Sequence, residues 1–305
     1  MTDAALRPSL LPELELHAPT SIEELTNLVA GGCHPIGGAT DVLLSAAHTG
    51  NPRRLALTAH VPELTTFAVG PANVTIGGAV TLGQLIRSAD FISSVPALAE
   101  GAHNVGSTQL RNSATLVGNL CTASPAGDTI PGQFVQGAVV EVAGPSGSRR
   151  SVPVRDFTVA PGRTSLGKGE VVTSVRVERC GRLDGSAYRR FTERNAIDLA
   201  FASVAARVWL EADGETVKDV RLALGAVGPT VIDASAWAAA LVGLCVTAER
   251  LDQISESAAL GCAPISDHRC SADYRRQLVR VLVAETIELA VDRAHTSNAA
   301  GEGQS

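Results

Sequence analysis

The run Gly106-Ser107-Thr108-Gln109-Leu110-Arg111-Asn112-Ser113-Ala114-Thr115-Leu116-Val117-Gly118-Asn119-Leu120, continued by Ser124-Pro125-Ala126-Gly127-Asp128, constrains this chain more than any other stretch. It is dense in Gly, Ser, Thr and Asn and poor in bulky side chains, inside a chain whose other segments read as ordinary core. Composition alone fits a surface loop of turn formers. The other reading is an anion cradle, because backbone N–H groups of small residues converge on a phosphate without steric bulk. Gly118 allows close approach, and Thr115 and Asn119, four apart, offer side-chain donors to one object. A second small-residue turn, Pro35-Ile36-Gly37-Gly38-Ala39-Thr40-Asp41, shifts the balance to the cradle. Two separated cradles suit a diphosphate. The Gly-Gly pair lacks the Gly-x-Gly-x-x-Gly spacing of a Rossmann loop, and neither that fingerprint nor a P-loop occurs elsewhere, which argues against a nicotinamide domain of that type.

A chain of 305 residues suggests two domains with room for a sizeable core. With 45% hydrophobic and 18% charged residues it is globular, and a net charge of −6 with 3% aromatics gives neither the electrostatic footprint nor the stacking platforms of a nucleic-acid binder. The six cysteines form no Cys-x-x-Cys pair, so an iron–sulfur cluster or structural zinc within the chain is not expected. Met1 to Leu16 shows no secretory signal, and no apolar run is long enough to span a bilayer; a reduced cytoplasmic protein with free thiols follows.

In chain order, Ser21 with Glu24 starts a helix in which Ile22, Leu25, Leu28 and Val29 share a face, and Gly31-Gly32 stops it. His34-Pro35-Ile36 is extended and delivers the glycine turn, and Val42-Leu43-Leu44 reads as buried structure. Leu55-Ala56-Leu57 is a strand, and residues 67–70 and 74–80 form a hairpin about Pro71-Ala72-Asn73. Thr81 caps a helix, and another follows Pro96. Residues 138–142 and 151–154 flank a polar hairpin tip. The linker falls at Arg179 to Ser186; alternation in Val204 to Leu210 and Val220 to Leu224 then predicts an antiparallel meander, followed by helices at 235–241, 247–260 and 271–290. The residues from His295 are small and polar, and a disordered tail is expected there.

The paired motifs Gly38-Ala39-Thr40-Asp41 and Gln109 to Asn119, followed by Ser124-Pro125-Ala126-Gly127-Asp128, resemble the FAD-binding subunit of the molybdenum hydroxylases, the family of the carbon monoxide dehydrogenase medium subunit and the xanthine dehydrogenase flavin portion. Asp156-Phe157, Gly162-Arg163-Thr164 and Gly169-Glu170-Val171-Val172 are similar to segments that close the family's flavin domain. Tyr188 to Ala200 and Asp267 to Arg276, with Cys270 in place of a glycine, are similar to elements of its second domain. The likeness extends roughly from Leu14 to Ala290. It implies an α+β fold: a two-lobed FAD domain of the vanillyl-alcohol-oxidase (PCMH) type over 1–180, and a smaller α+β domain with an antiparallel sheet and helices over 186–294, leaving 295–305 as tail.

The resemblance further implies that Ile36, Gly37, Gly38, Ala39, Thr40 and Asp41, with Thr115, Leu116, Gly118 and Asn119, hold the diphosphate and ribityl region. Asp128 matches an acid that bonds the cofactor, Val105 an apolar neighbour of the flavin, and Val172 a residue against the isoalloxazine. Arg190 stands where the family often has lysine facing the flavin; its permanent charge would stabilise reduced anionic flavin and alter its reactivity. The family usually reads Thr-Ile-Gly-Gly-Asn, and Val117 replaces the first of those glycines. If that position needs a positive φ, a β-branched residue is strained there and FAD binds less tightly.

No Ser/His/Asp set, paired carboxylates or metal-ligand spacing points to a catalytic residue or metal site in this chain. The implied role is electron transfer through FAD, from [2Fe–2S] clusters of a small partner subunit to NAD, a quinone or oxygen. Substrate oxidation would take place in a large molybdenum-cofactor subunit, the whole forming a dimer of heterotrimers. Two other readings stand beside it: a free-standing flavin-dependent oxidoreductase, and an assembly subunit that has lost FAD through Val117.

Overall fold

The structure, a computed structural model, describes residues 13–194 and 196–302. Residues 1–12, which include most of the stretch without a secretory signal, and 303–305 of the expected tail lie outside the described residues.

The first lobe is a small parallel sheet in the order Glu15–His17, Arg54–Leu57, His34–Ile36. Parallel strands need crossovers, and the helix Ile22–Ala30 supplies one of them. Its start is chemically fixed: Ser21 Oγ accepts from Glu24 N, and the Glu24 carboxylate accepts from Thr20 N at 2.8 Å. Ile22 and Leu25 turn inward onto Ala56, Val61 and Leu64. The segment after the glycine turn departs from the sequence reading. Val42–Thr49 is an eight-residue helix with only Ala46 buried, and Leu44 is 64% exposed, because nothing covers its outer side.

The second lobe is an antiparallel sheet in the order Phe67–Val69, Asn73–Gly77, Val171–Glu178, Val139–Ala143, Arg149–Pro153. Its inward residues, among them Val74, Ile76, Val140, Val142, Val175 and Val177, form one core with Leu82, Leu98, Leu116, Leu120 and Phe134 from the helices packed on it. Thr81 caps the helix Leu82–Leu85 in a reciprocal box with Gln84.

The third unit is an antiparallel sheet in the order Asp184–Phe191, Ala202–Leu210, Val217–Gly225, Ile232–Asp233. Its first strand begins inside the stretch read as linker, where Asp184, Gly185 and Ser186 are buried. One face carries the helices Ala248–Gly261 and Ala272–Glu302. The other lies on Pro96–Asn104 and Thr129–Val135 of the second lobe. The helix Ala272–Glu302 continues through the region read as a disordered tail, with the His295 ring Nε2 2.8 Å from Gly214 O.

A charge cluster centred on the buried Arg207–Asp184 pair fixes the joint between the units. Arg207 is held by Asp184 at 2.7 Å and Glu178 at 3.1 Å, Glu178 also receives Arg221 at 2.9 Å, and both guanidiniums lie over the Trp209 ring. Arg293 binds Glu100 at 2.6 Å, and Glu100 accepts from Tyr188 N at 2.8 Å.

Candidate functional site: two glycine-edged cradles beside a buried acid

Strand His34–Ile36 ends at the buried Ile36, and the chain then turns through Gly37 and Gly38 and passes Ala39 at φ 56°. Both glycines are required by close approach. A Cβ on Gly38 would lie 1.8 Å from Ser113 O, and one on Gly37 would lie 2.7 Å from Thr115 Oγ1. The turn of the first lobe therefore rests directly on the small-residue run of the second. Asp41 Oδ2, at the end of this turn, accepts from Thr122 Oγ1 at 2.9 Å. Among the described residues, the backbone N–H groups of Gly37, Gly38, Ala39 and Thr40 have no protein acceptor.

The run itself is not a loop. It forms two short helices, Thr108–Ser113 and Leu116–Thr122, capped by Ser107 and Thr115. Ser and Thr compete with the backbone inside helices but favour their starts, and here that preference decided the structure. Thr115 Oγ1 accepts from Gly118 N at 2.9 Å, so its oxygen serves as a helix cap and a contact for Gly37. Leu116 is fully buried and gives its N–H to Val80 O, so its place in the site is structural. Asn119 Oδ1 accepts from Thr129 Oγ1 at 2.7 Å, which leaves its amide NH2 as the donor for a ligand. Thr115 likewise accepts through its Oγ1 and keeps its O–H to donate, so neither side chain has its donor taken by the protein among the described residues. Val117 lies within the helix and is absent from the residues at positive φ, so the strain expected of a β-branched residue there does not arise.

Asp128 follows on, one residue before Thr129. Its Oδ1 accepts from Tyr188 Oη at 2.6 Å and its Oδ2 from Arg190 at 2.7 Å, with side chains 7% and 5% exposed for Asp128 and Arg190. Burial pushes the Asp128 carboxyl above the usual aspartate range, opposed by the Arg190 charge and by hydrogen bonds from Tyr188 and Arg190. Burial also drives Tyr188 well above its ordinary value, reinforced by the Asp128 charge. Arg190 is therefore paired within the protein, and the third unit delivers it, together with Tyr188, to the acid of the second lobe. Gly101 backs the same place, since a Cβ there would lie 2.4 Å from Asp128 O.

Val172 is buried in the second-lobe core, and Val105, half-buried after the helix Pro96–Asn104, packs against that core. The structure thus joins Gly37 to Thr115, Gly38 to Ser113 and Asp41 to Thr122, and Asn119 bonds Thr129, the residue after the Arg190-paired Asp128. Sequence reasoning missed two residues. Tyr188 was seen only as part of a pattern. Arg111, buried within the small-residue run, was given no role, although it is the one Lys, Arg, Asp or Glu residue between Glu100 and Asp128. Cys121, in the second short helix, is an inert thiol, pushed by burial up to about 12. Among the described residues no group of three His, Cys, Asp or Glu side chains could hold a metal ion.

The donor set fits an anionic dinucleotide: a row of backbone N–H groups at 37–40 without a protein acceptor among the described residues, and the Asn119 amide NH2. The family model described as the FAD binding domain in molybdopterin dehydrogenase matches residues 12–178, and that of the CO dehydrogenase flavoprotein C-terminal domain matches residues 186–290. The nicotine 6-hydroxylase medium subunit of Paenarthrobacter nicotinovorans is 31% identical over 283 residues, 91% of this chain and 97% of that protein. The xanthine dehydrogenase FAD-binding subunit of Escherichia coli is 28% identical over 91% of this chain and 96% of its own length. Among solved structures, a chain of carbon monoxide dehydrogenase from Hydrogenophaga pseudoflava superposes with a TM-score of 0.87 at 29% identity, covering 93% of this chain and 99% of that one. With both halves matched in order and relatives aligned end to end, the chain belongs to the FAD-binding medium subunits of the molybdenum hydroxylase family.

Proposed function

We propose that this chain is the FAD-carrying electron-transfer subunit of a molybdenum hydroxylase, taking electrons from [2Fe–2S] clusters of a small partner subunit and delivering them to NAD, a quinone or oxygen. Substrate is oxidised in a large molybdenum-cofactor subunit, and the assembly is a dimer of heterotrimers. The observation that carries the reading is the contact of Gly37 with Thr115 and of Gly38 with Ser113, beside backbone N–H groups at 37–40 without a protein acceptor among the described residues. The relatives named as medium subunits and chains support the multi-subunit setting. Among the described residues no helix is long and apolar enough to cross a membrane. A cytoplasmic location fits six cysteines that are all unpaired.

Flavin, when bound, accepts single electrons and releases them in pairs. The protein's part is to bind, orient and set the local charge. The N–H groups of 37–40 and the Asn119 amide bind the diphosphate and ribityl region. Val105 and Val172 keep water from the ring, and Asp128 and Arg190 supply its polar flank.

The test is the visible spectrum of the purified chain, with the released cofactor identified after denaturation. FAD at about one per chain supports the reading. A colourless chain that stays colourless with excess FAD, both alone and with its partner subunits, refutes it.

A further inference from the structure

Besides Arg190, already paired with Asp128, three arginines are buried among the described residues: Arg111, Arg207 and Arg275, at 9%, 2% and 4% exposure. A buried cation is costly unless a counter-charge meets it, and two of the three follow that rule. Arg207 has Asp184 and Glu178, and Arg275 has Asp267 at 3.0 Å. Arg111 has no carboxylate among the described residues. It donates to Val105 O at 3.0 Å and Thr108 Oγ1 at 3.2 Å, both neutral, and its Nε has no partner.

Capping accounts for part of this. Val105 follows the helix Pro96–Asn104, whose C-terminal carbonyls carry a partial negative charge. That dipole supplies about half a charge and leaves the Nε unclaimed. No acidic residue lies between Glu100 and Asp128 to complete the balance, and both of those carboxylates are already bound to other arginines.

We infer that the missing counter-charge is the anionic flavin nucleotide itself, and that Arg111 is a positioning residue which answers that charge and fixes the Val105–Gly106 turn beside the cofactor. The inference rests on the proposed FAD site. Gly106 stands at φ 54° and its carbonyl accepts from Ile197 N of the third unit, at 3.4 Å, so Arg111 anchors one side of a turn that the other unit holds from across the joint.

The experiment uses the full chain freed of cofactor, with FAD titrated by fluorescence quenching and the apoprotein melted in parallel. Arg111→Met keeps the stem and removes the charge; Arg111→Lys keeps the charge and removes the fork. The Met variant is expected to bind FAD about tenfold or more weakly and with a shallower salt dependence. Its apoprotein is expected to melt no lower than wild type, because an unanswered charge has gone, and Lys is expected to restore part of the affinity. Unchanged FAD affinity in the Met variant overturns the inference, as does a less stable apoprotein that binds FAD normally, the signature of a helix cap alone. Failure of the wild-type chain to bind FAD both alone and with its partner subunits refutes the proposed function, and this inference with it; wild-type binding with an indifferent Met variant refutes this inference only.

Discussion

Asp128→Asn is the substitution whose cost the structure fixes best. The Asp128 and Arg190 side chains are 7% and 5% exposed, their contact is 2.7 Å, and the second carboxylate oxygen is taken by Tyr188 at 2.6 Å. Removing the charge from one partner leaves Arg190 buried against a neutral amide, with one further acceptor, Asp198 O, at 3.4 Å. Breaking a buried pair in this way costs about 3–5 kcal/mol. For a protein of this size that lowers the melting temperature by roughly 10 °C. Tyr188→Phe removes the hydrogen bond to Asp128 and the one with Ser203, and costs about 1–3 kcal/mol. The pairing argument makes a sharper demand of the double variant Asp128→Asn with Arg190→Met. With no orphan charge left, it recovers to within about 2 kcal/mol of wild type, well short of the sum of the single losses. Calorimetry on the apoprotein measures these three variants and the Arg190→Met single that completes the cycle. A single Asp128→Asn loss below about 1 kcal/mol, or strict additivity in the cycle, refutes the claim that the pair is buried and mutually dependent.

Gly38→Ala places a carbon 1.8 Å from Ser113 O, so the two lobes must part; FAD affinity is expected to fall about tenfold or more and stability by about 1–3 kcal/mol, read by titration and melting. Val117→Gly restores the glycine usual in the family but removes a buried side chain from a helix, so it costs roughly 2 kcal/mol and gives no tighter FAD binding; a gain in affinity contradicts the helical placement. Hydrogen bonding from Arg150 holds the Glu170 carboxyl below the usual glutamate range. Its contribution to stability is therefore present above that range and lost as pH falls through the depressed value. Glu170→Gln should flatten the acid limb of stability against pH by up to about 1 kcal/mol, since Arg150 is partly exposed.

Much of the frame was legible in the sequence because local chemistry determined it. Ser21 with Glu24 marked the first helix, Thr81 the third-lying cap, and the alternation from Val204 to Leu210 the central strand of the meander. Leu44 misled because three apolar residues in a row signal burial only when a second layer exists to cover them, and that depends on distant chain. The small-residue run misled in the other direction. Its glycines suggested a loop, while Ser107 and Thr115 were already in place as caps for two short helices. The glycine turns were readable as places that need small residues, but their mutual contact was not, since Gly38 and Ser113 meet only through the packing of two lobes. The partner of Asp128 lay beyond reach for the same reason: no local rule links an acid to a tyrosine and an arginine some sixty residues on.

That long reach also sets an order of events during synthesis. Chains emerge from the ribosome N-terminus first, and domains tend to fold as units as they appear. The residues of both glycine contacts have been made by Thr122, but the sheet of the second lobe is complete only with Val171–Glu178; Asp128 then waits for Tyr188 and Arg190, and Arg293, 193 residues after Glu100, reaches it only when nearly the whole chain is out. A nascent chain arrested between Glu178 and Tyr188 has every strand of the first two lobes beside an unanswered acid. The last helix to be made is thus the one that seals the earliest half, and a messenger truncated before Arg293 yields a product that has every cradle residue and lacks the clamp.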